Sequence, residues 1–140
     1  MLGTNDLERI DDLAVYRSNL TRIVTDTINA GVIPVLSTIP PRLDSATLGA
    51  RVSQYNDVIT QVASSLQVPL WNYALALSGS SMINQGMDPD GIHPSVYMGQ
   101  YACSFTDAGL RYGYNQRNLT AVQVLAHVKS VVIDDGTPDP

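Results

Sequence analysis

Between two stretches of helical periodicity lies Val32-Ile33-Pro34-Val35-Leu36-Ser37-Thr38-Ile39, a short and nearly continuous apolar run closed by Pro40-Pro41. A run of this kind, apolar on both alternating faces, suits a strand covered on both sides, which is the condition of a parallel sheet. The flanks agree. Ahead of it, Leu13, Tyr16, Leu20, Ile23, Val24 and Ile28 recur at helical spacing, with Asp11-Asp12 before them and Gly31 after. This predicts a helix over 12–30 with an acidic start and a left-handed glycine stop. Behind it, Val52, Tyr55, Ile59, Val62, Ala63 and Leu66 predict a second helix over 50–66, and Val68-Pro69-Leu70-Trp71-Asn72-Tyr73 predicts a second strand. Alternation of this sort restricts the chain to an α/β architecture with right-handed crossovers. Pro34 counts against the first half of the run as a central strand, because proline has no N–H for the ladder.

The loop over 42–49 leaves the carboxyl end of the first strand, the side on which open α/β sheets bind ligands. Arg42 lies there, and its expected state is a solvated loop side chain. Trp71 and Tyr73 are expected in the core or in a pocket wall. Residues 74–88 read as a short helix or turn followed by the Gly/Ser-rich Ser78-Gly79-Ser80-Ser81. Residues 96–118, with Tyr97, Tyr101, Tyr112 and Tyr114, read as an irregular lobe. A last helix is expected over 118–132, with Leu119, Val122, Leu125, Val128 and Val132 inward and His127 at the surface. Residues 134–140 have no periodicity and read as a linker or tail. The sequons at Asn19 and Asn118 both fall in helical patterns and are discounted.

At 140 residues the chain is one domain or less, assigned here to 1–133. A net charge of −5 argues against a nucleic-acid partner, since phosphate binding needs a basic face. No run approaches the roughly 18 apolar residues of a membrane span. The single cysteine, Cys103, is expected to be a small buried apolar residue.

Two short motifs carry chemistry. Asp90-Gly91-Ile92-His93, followed by Pro94-Ser95, sets a carboxylate three residues before an imidazole. On one turn of backbone the carboxylate can accept from Nδ1–H, which leaves Nε2 free to take a proton. Gly91 lets the turn adopt a conformation that a Cβ resists, and Pro94 keeps His93 extended. A metal-ligand reading of Asp88, Asp90 and His93 is an alternative. Ser95 is too near His93 in sequence to be its nucleophile. At the other end, Met1-Leu2-Gly3-Thr4-Asn5-Asp6 reads as the end of a buried strand running into a tight turn.

Gly-x-Asn-Asp early and Asp-x-x-His-Pro late, separated by one α/β segment, resembles the SGNH (GDSL-type) hydrolase family. Gly3, Asn5 and Asp6 match its third block, and Asp90 and His93 its last. The resemblance implies a three-layer, doubly wound parallel sheet of flavodoxin-like type. It also implies an oxyanion hole at Asn5 and Gly3, a His93 base oriented by Asp90, and no cofactor. Asp6 is expected to fix the turn by hydrogen bonding local backbone.

The sequence departs from the family in two respects: the glycine of the second block, another oxyanion donor, is absent, and so is the first block. It contains no Gly-Asp-Ser and no Gly-x-Ser-x-Gly, so it offers no nucleophile. It therefore resembles the C-terminal part of a serine esterase or lipase, with the N-terminal strands missing. The substrate class implied is a small-molecule or polymer-borne acyl ester, and the setting implied for a whole enzyme extends to the cell envelope or exterior. The other reading is a non-catalytic binding or structural module on the same scaffold, for instance one for carbohydrate. A strand apolar on both faces but paired on one edge also implies self-association through that edge.

Overall fold

The computed structural model describes residues 2–134, so Met1 and most of the expected tail lie outside the described residues. In chain order the elements are α1 (Asp6–Arg9), α2 (Leu13–Asn29), β1 (Leu36–Ser37), α3 (Ala46–Ser65), β2 (Leu70–Trp71), α4 (Tyr73–Ala76) and α5 (Gly113–Val128). The two strands pair in parallel, Leu36 with Leu70 and Ser37 with Trp71, and α3 is the crossover between them. This is an α/β unit, as the alternation predicts.

Each long helix has a chemical start and stop. Asp12 caps α2 by accepting from Ala14 N–H at 2.7 Å. The helix ends in a Schellman pair, Gly31 N–H to Ile28 O at 2.9 Å and Val32 N–H to Thr27 O at 3.2 Å. Ser45 caps α3 through Leu48 N–H at 3.3 Å, so this helix starts four residues before the expected position and shortens the loop. It ends in the same way, with Gln67 in the left-handed position at φ +52°.

The core lies between α2, α3 and β1. Leu7, Tyr16, Leu20, Val24, Leu36, Ile39, Val52, Tyr55, Val58, Ile59, Val62 and Ala63 are all buried in one cluster. The inward face expected of α3 is correct apart from Leu66, which is partly buried. On α2, Ile23 and Ile28 stay exposed. A smaller cluster of Tyr73, Leu77 and Met87 packs against Trp71, and Trp71 Nε1 donates to Thr120 on α5 at 2.9 Å.

Several expectations need correction. The strands are far shorter than 32–39 and 68–73: the ladder spans two residues on each side, and Leu2 is in no strand. Pro34 and Pro69 have no N–H to extend it. The last helix begins at Gly113, five residues early, and passes into a π-helical turn at Lys129–Ile133. Of its supposed inward residues only Val128 is buried, while Val122, Leu125 and Val132 are 60%, 68% and 49% exposed. Cys103 is exposed, because the segment around it has no core of its own to enter. Among the described residues no helix is long and apolar enough to cross a membrane.

Candidate active site

A small antiparallel pairing closes the loop that carries Asp90 and His93. Met87 bridges Pro94, Asp88 N–H donates to His93 O at 2.8 Å, and Ser95 N–H donates to Gly86 O at 2.8 Å. Inside the loop Asp90 is the hub. Its Oδ1 accepts from the backbone N–H of Ile92 at 2.9 Å and of His93 at 3.0 Å, and its Oδ2 lies 2.6 Å from His93 Nδ1. The imidazole first, and then those two N–H groups, hold the Asp90 carboxyl at about 2, well below its ordinary 3.8. Asp90 is therefore an ionised carboxylate at neutral pH. Such a group only accepts hydrogen bonds, so Nδ1 carries the proton. Nε2 has no partner among the described residues, and the ring is 67% exposed. An imidazole held in this way can take up a proton at Nε2 while Asp90 stabilises the cation that forms.

Gly91 explains how the loop is seated. Its φ is +71°, and a Cβ there would stand 2.5 Å from Asp44 N and 2.7 Å from the Leu43 carbonyl carbon. Leu43 N–H donates to Gly91 O at 2.8 Å. The loop thus rests directly on the backbone of residues 43 and 44, with no room for a side chain between them.

At the other motif, Gly3 is buried with φ +121°, and a Cβ would meet Tyr16 Oη at 2.7 Å and Ile39 Cγ2 at 3.1 Å. Its carbonyl accepts from Asp6 N–H at 3.0 Å and Leu7 N–H at 3.1 Å, which starts α1. Asn5 stands at the N-cap of α1 yet makes no capping bond with its side chain. Asn is favoured at such positions because it caps. Here the carboxamide is exposed and without a partner among the described residues, free to donate outward. The Asp6 carboxylate makes no hydrogen bond among the described residues either. The turn is held by backbone, and Tyr55 Oη donates to Asp6 O at 3.1 Å, which corrects the expectation for Asp6.

No hydrogen bond joins Asn5 to Asp90 or His93. The two loops meet through Arg42, which is 4% exposed, not solvated as expected. Its Nε and Nη2 grip Asp44 at 2.7 and 2.8 Å, Nη2 also reaches Glu8 Oε1 at 2.8 Å, and Nη1 donates to Thr4 O at 3.4 Å. The guanidinium in turn holds the Asp44 carboxyl below its ordinary range. An Arg with an Asp two residues on was the visible signal; Glu8, far away in sequence, left none.

Ser95 is structural. It is buried, its Oγ accepts from Gly113 N–H at 3.1 Å and its carbonyl from Tyr114 N–H at 3.0 Å, so it anchors the start of α5. Asp88 enters the loop through backbone, and among the described residues no three His, Cys, Asp or Glu side chains converge on a metal position. In the tyrosine lobe, Tyr97 packs on Tyr112 and Tyr101 with ring centroids 5.2 and 6.4 Å apart. A groove of about 590 Å³ between β2 and α5, walled by Leu70, Trp71, Val124 and Val128, includes none of Asn5, Asp90 and His93.

A family model described as "GDSL-like Lipase/Acylhydrolase family" matches residues 1–98, a span that contains Gly3, Asn5, Asp90 and His93. No curated protein and no solved structure matches the chain.

Proposed function

The chain belongs to the GDSL-like lipase/acylhydrolase family, and on that premise we propose that it supplies the acid–base and oxyanion half of an ester-cleaving site. The observation that carries this is the 2.6 Å contact between Asp90 Oδ2 and His93 Nδ1, with Nε2 left free. In this reading the nucleophile is the serine of the family's Gly-Asp-Ser block, a motif this sequence does not contain. As the serine Oγ attacks the acyl carbonyl, Nε2 takes the hydroxyl proton. The carbonyl oxygen becomes an anion that accepts from the Asn5 carboxamide, with Gly3 keeping the backbone close beside it. Collapse of the tetrahedral intermediate breaks the ester C–O bond, and Nε2 returns the proton to the departing alcohol. Water then repeats the sequence on the acyl-serine and releases the acid. Substrates are small-molecule or polymer-borne acyl esters. The full three-layer, doubly wound sheet, with strands ahead of Gly3, is part of this proposal.

The test is hydrolysis of p-nitrophenyl acetate and butyrate by a polypeptide in which a Gly-Asp-Ser block of the same family is joined ahead of this chain. His93→Ala should remove turnover, and Asp90→Asn should lower kcat strongly but less. Asn5→Ala should lower kcat by about 10²–10³ with KM held, because the oxyanion exists only in the transition state. Turnover that survives His93→Ala would sink the reading. An absence of turnover in every form, with saturable binding of a carbohydrate, would point to the non-catalytic module instead.

A further inference from the structure

Arg42 is a buried cation placed between two loops that share no hydrogen bond among the described residues. Its side chain is 2% exposed, against 53% for Glu8 and 21% for Asp44, so the partners reach inward from the surface to meet it. On one side it holds α1, through Glu8 and the carbonyl of Thr4, the residue before Asn5. On the other it holds both oxygens of Asp44, whose backbone nitrogen lies against Gly91, next to Asp90. Its own backbone is fixed as well: a Cβ on Gly49 would stand 2.7 Å from Arg42 O.

We infer that Arg42 is a positioning residue, which sets the Asn5 turn at a fixed place relative to the Asp90–His93 loop. The significance of that spacing rests on the ester-hydrolase reading above, in which the two loops act on one carbonyl. A misplacement of about 1 Å between such groups costs about 10²-fold in rate. Only a planar fork can do this task. Five N–H donors in fixed directions satisfy a bidentate carboxylate, a second carboxylate and a carbonyl at once. A lysine ammonium keeps the charge but cannot span Asp44 with two parallel bonds. The role differs from that of the core, since none of Arg42's hydrogen-bond partners belongs to the buried α2–α3 cluster.

The test uses the whole ¹⁵N-labelled chain and three variants that change one arm or both. Glu8→Gln is expected to shift the amide signals of residues 4–8 and the Asn5 side-chain NH₂, leaving residues 90–93 in place. Asp44→Asn is expected to shift Leu43, Gly91 and the His93 ring nitrogens, leaving residues 4–8. Arg42→Lys should move both sets and speed exchange of the Leu43 amide about tenfold or more, while the core amides of Val58 and Ile59 exchange as before. A merely structural role would not give this pattern. Uniformly faster exchange through α3, or an Arg42→Lys spectrum in which neither loop moves, would overturn the inference. Should Arg42→Lys not fold, the two milder variants decide it: loops unmoved by either one refute the coupling. The readout needs no nucleophile, so its failure is distinct from failure of the ester assay.

Discussion

Gly91→Ala isolates what seating the Asp90–His93 loop on residues 43 and 44 is worth. Two costs add. Alanine at φ +71° pays about 1–2 kcal/mol for the left-handed conformation. Its Cβ would also stand 2.5 Å from Asp44 N and 2.7 Å from the Leu43 carbonyl carbon, and these are backbone atoms that cannot swing aside. Relief requires the two segments to part, which breaks the 2.8 Å bond from Leu43 N–H to Gly91 O, a loss of about 1 kcal/mol net. The expected total is about 2–3 kcal/mol. Gly99→Ala is the matched control, since Gly99 has φ +74° but nothing within 4 Å of its added Cβ. It should cost only the conformational part, about 1–2 kcal/mol. Urea denaturation of both variants gives the difference, and the Leu43 amide shift reports whether the loop has lifted. Equal losses for the two, with the Leu43 amide unmoved, would refute the close approach.

Three further outcomes are expected. Asp90 is held at about 2 against an ordinary 3.8, so the order it lends its loop is complete above the ordinary value and fades as pH falls through the lower one. The Ile92 and His93 amides should therefore titrate near 2, and a midpoint near 3.8 would contradict the hydrogen-bond pattern. His93→Ala should change folding stability by no more than about 0.5 kcal/mol, because the ring is 67% exposed; a much larger loss in urea denaturation would make His93 a structural residue. β1 pairs only with β2 among the described residues, and Val32, Ile33 and Val35 are 57%, 44% and 39% exposed beside it. The chain alone should self-associate in light scattering, less so as Val35→Lys, and a monomer at every concentration would remove the proposal.

What the sequence revealed and what it hid follow from the range of each interaction. Helices α2 and α3 were legible because their apolar spacing and their stops at Gly31 and Leu66 are local. The earlier start of α3 was hidden by Gly49, which reads as a loop residue until its packing on Arg42 O is seen. In α5 the periodicity was real, yet Val122 and Leu125 remain exposed: a pattern tells which residues share a face, not what covers it. The Asp90–His93 contact was readable, since three residues of chain nearly determine it. The Arg42 bridge was not, because its partners lie at Thr4, Glu8 and Asp44 and only the last is near in sequence.

The central claim of the proposed function is that His93 serves the serine of a Gly-Asp-Ser block, a motif absent from these 140 residues. Fluorophosphonate labelling followed by peptide mapping tests it most directly, on the chain alone and on a longer polypeptide in which a Gly-Asp-Ser block is joined ahead of it. The chain alone should take up no stoichiometric label. The longer polypeptide should take up one label, on the serine of that block, and lose it as His93→Ala. A stoichiometric adduct on any serine within the chain itself, or full labelling in the His93→Ala form, would contradict the claim.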